Sequence, residues 1–177
     1  MQQRGWIKRV VPALIFMILA ACISQFDPYA FDYTRIEPKR EDVVGTYVLV
    51  SQTLNDIPIS RLQAQDGSGS YVHKLILNAD GTFSVLNFPV WVNHGQWSIS
   101  TFKSGSGKWN IDIVGGVREW SKVVSVWGLR FSSADVPIER ATLAGEKPPY
   151  SIFFGYGDPD SGNVMIYERE NSKSSEQ

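Results

Sequence analysis

Hydrophobic and polar positions alternate along much of this chain with a period of two, and the alternation breaks at short runs of Asp, Asn, Gly and Pro. That period belongs to a β-strand with one buried face. Val43–Val50 is rich in β-branched residues and too short for a good helix, which predicts a first strand. Tyr71–Asn78 and Thr82–Phe88 flank Ala79-Asp80-Gly81. Asp-Gly between two apolar runs is a strong hairpin signal. The alternation Phe83, Val85 then changes phase to Leu86, Phe88, which predicts a bulge, and Pro89 is expected to end the pairing. Gly95–Ser100 and Trp109–Ile113 put Trp97, Ile99, Trp109, Ile111 and Ile113 on one face, and Ser104-Gly105-Ser106-Gly107 between them reads as a flexible hairpin loop. Val123–Phe131, Tyr150–Tyr156 and Asn163–Arg169 complete the set. Gln52–Ser70 reads as a long loop, and Ser132–Pro149, with three prolines, as a connection. The expected class is all-β, with about eight antiparallel strands in hairpin succession. Such an order closes most simply as a barrel, which also removes exposed sheet edges.

A different pattern opens the chain. Arg4, Lys8 and Arg9 precede Val10–Ala21, which is uncharged and mostly aliphatic. A basic start, an apolar run and a small-residue end make a secretory signal. Twelve uncharged residues fall well short of the ~20 that a membrane-spanning helix needs. The run ends in Leu19-Ala20-Ala21-Cys22, with the only cysteine of the chain. These four residues resemble the lipobox of bacterial lipoproteins. The resemblance implies that Cys22 receives a diacylglycerol, that the leader 1–21 is cut before it, and that the new amino terminus is acylated, palmitate being the usual chain. Ile23 stands where inner-membrane lipoproteins often carry Asp. That implies lipid-anchored attachment to the outer membrane, facing the periplasm of a Gram-negative cell envelope. Several acyl chains hold far more firmly than one.

The expected organisation is a signal peptide at 1–21, a tether at 22–42, a barrel at 43–170 and a polar tail at 171–177. Within the tether, Tyr29, Phe31 and Tyr33 alternate, so a short piece could dock on the barrel as an added strand.

Without the leader, Lys+Arg falls from 17 to 14 against 18 Asp+Glu, a formal charge of −4. That balance leaves no electrostatic footprint for nucleic acid. No second cysteine is present for an intramolecular disulfide, and six Trp, seven Tyr and nine Phe suggest an aromatic core or pocket.

Gly45-Thr46-Tyr47, then Leu75-Ile76-Leu77-Asn78-Ala79-Asp80-Gly81-Thr82-Phe83, then Gly95-Gln96-Trp97-Ser98-Ile99 resemble the corresponding motifs of small lipocalin-like bacterial lipoproteins. The likeness covers residues 43 to about 114 and implies a lipocalin-like barrel. Lipocalins place Trp where Tyr47 stands and pack an Arg of the last strand over it; Arg169 is the matching residue here.

Candidate chemistry is sparse. His73 shares a strand face with Tyr71, Leu75 and Leu77. An inward imidazole could orient a ligand, although a hydrogen-bonded core histidine is the commoner case. Tyr71, His73, Trp97 and Trp109 are the expected lining for a small apolar ligand, with a packed aromatic core as the alternative. Trp120, in the polar stretch Gly116–Lys122, has the composition of a protein-binding hot spot. His73, His94 and a lipidated Cys22 do not add up to a metal site. Asp158-Pro159-Asp160-Ser161-Gly162 echoes the start of a calcium loop, but Arg169 stands at the twelfth position, where the bidentate Glu belongs. No strained Gly-x-Ser-x-Gly elbow appears. The expectation is binding without catalysis or cofactor: either a small apolar ligand inside the barrel, or an envelope protein, as for an assembly factor or toxin inhibitor.

Overall fold

The computed structural model describes residues 28–52, 72–93, 97–119, 122–156 and 163–170. One short helix, α1 (Arg40–Val43), precedes eight strands: β1 (Gly45–Gln52), β2 (Lys74–Leu77), β3 (Thr82–Asn93), β4 (Trp97–Glu119), β5 (Lys122–Ser132), β6 (Arg140–Ala144), β7 (Ser151–Gly155) and β8 (Val164–Arg169). Each pairs antiparallel with the next, and β1 pairs with β8 to close the barrel. All-β class, up-and-down order and closure are as the alternation predicts.

The interior follows from the period of two. Tyr47 and Leu49 of β1, Leu75 and Leu77 of β2, Phe83 and Val85 of β3, Leu129 and Phe131 of β5 and Met165 and Tyr167 of β8 turn inward into one core. Tyr47, Tyr167, Leu75, Leu129 and Ile152 have no exposed surface at all. Phe154 meets Tyr167 and Phe88 edge-on, with ring centroids 5.4 and 5.2 Å away. Such contacts add to area burial.

Two predicted breaks differ. The hairpin pairing with β2 does stop short of Pro89, but β3 itself runs on past it to Asn93 against β4. Pairing with β2 stops at Leu86, so Pro89 lies where β4 is the only described neighbour of β3, a position that tolerates a missing amide. Nor is Ser104–Gly107 a flexible loop, because β4 passes straight through it. A Cβ on Gly107 would sit 2.1 Å from the Ser132 carbonyl oxygen, and one on Gly105 would sit 2.6 Å from Val136. The glycines serve close approach here, not a turn. The expected bulge is present: the β3–β4 register shifts between Val85 and Phe88, and Asn87 takes φ 55°.

The stretch expected to be a connection, 132–149, contains β6, whose Ala141 and Leu143 alternate inward. Val136 and Ile138, just ahead of it, are buried in the core.

The described part of the expected tether, 28–42, is packed on the barrel. β5 and β6 pair only across Gly128–Arg130, and beyond that they part. Residues 32–34 enter the gap: Thr34 donates its amide to Leu143 and accepts from the Trp127 amide, each at 2.9 Å, while the Gly145 amide donates to Asp32 at 2.8 Å. Tyr33 forms a bridge with Ala144. Tyr29 and Tyr33 pack edge-on against Phe153 on the outer wall, at 5.4 and 6.2 Å. Phe31, between them in sequence, is 84% exposed, so the alternation does not extend to it as a buried position.

Candidate functional site

One end of the barrel is shut by α1. The Tyr47 hydroxyl donates to the Val43 carbonyl at 2.7 Å, and Arg169 donates through Nη2 to the Val44 carbonyl at 2.6 Å. Tyr47 and Arg169 are register partners on β1 and β8. Gly45 has φ 154°, and a Cβ there would stand 2.8 Å from the Arg169 Nε, so glycine makes room for the guanidinium. Arg40 of α1 lays its guanidinium over the Trp109 ring, 4.7 Å from the centroid. The Trp109 ring is itself fixed, donating from Nε1 to the Asn78 carbonyl at 3.1 Å.

Burial pushes the Tyr47 phenol up to about 12, with the Arg169 charge opposing. Burial raises Tyr150 and Tyr167 as well. Unfolded tyrosines release their protons near pH 10. A raised folded value therefore gives stability that is full below pH 10 and is lost as pH rises through about 12. Urea midpoints should fall between pH 9 and pH 11, and Tyr47→Phe should flatten that fall; equal slopes in both proteins would contradict it.

His73 lies near the opposite end. It is 3% exposed, and its Nδ1–H donates to the carbonyl of Asn87, the residue that bulges β3. Its ring tilts over Phe102 at 5.2 Å. Burial lowers its pKa, which favours the neutral imidazole, with the Asn87 hydrogen bond opposing. His73 and Trp109 are not brought together. His73 meets Asn87, whereas Trp109 lies one residue past the Thr82–Lys108 pair, level with Gly81, so six residue positions, about 20 Å along the strand, separate them. Trp97 is the first residue of β4 and pairs with Asn93. Tyr71, His94, Cys22, Trp120 and the Asp158–Gly162 stretch lie outside the described residues.

Sequence reasoning missed two concave regions, both on the outside. A cleft of about 440 Å³ lies on the outer wall between the β4 stretch Val114–Val117 and the Tyr29–Tyr33–Phe153 cluster, with Tyr156 and Thr142 along it. A Cβ on Gly115 in this cleft would meet nothing within 4 Å. A groove of about 660 Å³ lies beside the shut end, bounded by Arg40, the Ala79–Thr82 turn, β4 at Lys108–Asn110 and β5 at Arg130–Ser132. Only the tyrosine alternation at 29 and 33 hinted at the first. The second joins residues from four separate elements and has no local signal.

Among the described residues, no three His, Cys, Asp or Glu side chains assemble as a metal site requires, and no helix is long and apolar enough to cross a membrane. Comparisons with family models, with curated proteins and with solved structures found no match.

Proposed function

We propose that this chain is an outer-membrane lipoprotein, anchored through Cys22 and facing the periplasm, whose barrel is a rigid scaffold for gripping another envelope protein. Its work is binding, not bond-making. The observation that carries this reading is the filled barrel axis: Tyr47, Phe83, Leu75, Leu129, Met165 and Tyr167 meet there with almost no exposed surface. A ligand on that axis would have to displace close-packed side chains, at a cost of several kcal/mol. The carrier reading, with an apolar molecule held by Tyr71, His73, Trp97 and Trp109, is further weakened by the separation of His73 from Trp109. The outer-wall cleft, by contrast, offers tyrosine and valine surface beside a rim of backbone and polar groups, a composition suited to a protein segment.

In-cell photo-crosslinking tests this directly. A photoreactive residue at Gly115 or Thr142 should give one discrete adduct with an envelope protein, and the same residue at Glu168, on the outer face of β8, should give none. Equal labelling from all three positions, or an apolar metabolite copurifying at one equivalent in native mass spectra, would overturn the reading.

A further inference from the structure

We infer that the groove beside the shut end binds a phosphate ester, independently of the outer-wall cleft. Three cations from three separate elements converge on it: Arg40 of α1, Lys108 of β4 and Arg130 of β5. Among the described residues, the Arg130 side chain pairs through Nε with the Asp112 carboxylate, whereas the side chains of Arg40 and Lys108 make neither a salt bridge nor a hydrogen bond to an acceptor. Two unneutralised cations brought together cost electrostatic energy, which a bound anion would offset.

Arg40 is also held in place. It lies on a Trp109 ring that is itself hydrogen-bonded, and its Nη1 would be 3.2 Å from a Cβ at Gly81. Stacking leaves the edge of the guanidinium, with its N–H donors, free to meet an anion, and it removes much of the entropy cost of ordering the side chain.

One acid, Asp80, also borders the groove. Its Oδ1 already accepts from the Thr82 amide at 2.8 Å and the Thr82 hydroxyl at 2.7 Å. Three cations against Asp80 and Asp112 still leave the groove positive, on a chain whose formal charge without its leader is −4. A volume of about 660 Å³ is larger than a bare ion needs. Asn110, Thr82 and Ser132 add hydroxyl and amide groups suited to a polyol. Guanidinium groups match phosphate oxygens geometrically, which favours a phosphate ester of glycerol or a sugar. Such an ester is found both as a free metabolite and as a phospholipid headgroup.

The test has two arms, both with the full mature chain in detergent. One titrates glycerol 3-phosphate by calorimetry, with glycerol as the control. The other measures transfer into nanodiscs containing phosphatidylglycerol against nanodiscs of phosphatidylcholine alone. Saturable binding in either arm, weakened about tenfold or more by Lys108→Gln and by Arg130→Gln, supports the site. The arm with the tighter binding identifies the source. Asp80→Asn should strengthen binding, and added salt should weaken it. Binding in neither arm, or binding that survives both substitutions with the circular-dichroism spectrum unchanged, overturns the proposal.

Discussion

A chain that begins at Val43 should lose most of its stability compared with one that begins at Ser24. The deletion takes away the Thr34 rung between β5 and β6, with two backbone hydrogen bonds at 2.9 Å, and the Gly145–Asp32 bond at 2.8 Å. It also removes the Thr34 hydroxyl, which donates to the Gly145 carbonyl at 2.8 Å. Each such bond contributes about 1 kcal/mol net. The tyrosines leave Phe153, Ala144 and Val164 uncovered, and Arg40 leaves Trp109. The total is on the order of 5 kcal/mol or more, within the range of the entire stability of a domain this size. Denaturant midpoints for the two chains would show it. A plain tether predicts equal midpoints, and that result would mean that 28–42 contributes nothing to the fold.

Trp109→Ala should cost about 3–5 kcal/mol, the usual range for truncating a large buried aromatic. Trp109 is 3% exposed, its indole N–H is satisfied by Asn78, and its amide donates to Gly81 at 2.7 Å. Trp109→Phe keeps most of the ring and loses one hydrogen bond, so it should cost far less than the alanine. A ligand-lining tryptophan would behave otherwise, with binding lost and the unfolding midpoint nearly unmoved. Thermal or urea denaturation of the two variants separates these outcomes.

The strand number expected from alternation agrees with the structure, although two errors cancel within it. Gly95–Ser100 and Trp109–Ile113 look like two strands because Ser-Gly-Ser-Gly is ordinarily a linker. In the fold they are one, because Phe83, Ser132 and Val136 crowd the positions where side chains would be. β6 was lost among prolines, since Arg140–Ala144 offers only Ala141 and Leu143 as inward positions. The bulge at Asn87 was legible because a phase change in a period-two pattern has no other simple meaning. Tyr47 and Arg169, singled out together in the sequence, are register partners across β1 and β8. The site was far less legible. Its parts come from α1, a turn and two strands, so their meeting depends on barrel shear and on the path of residues 28–44. Neither is written in any local stretch.

On the proposed lipid anchor at Cys22, the wedge formed by residues 32–34 would also limit how far the barrel can travel. Tyr29 is already seated on Phe153, so six residues, or seven Cα–Cα steps, separate it from Cys22. Fully extended, they reach about 25 Å. With a lipid on Cys22, the barrel would work on a short leash within roughly its own diameter of the bilayer. A partner resident in the same membrane would then meet it at a high effective concentration, and modest intrinsic affinity would suffice for stable contact. A partner diffusing through the periplasm would have no such advantage.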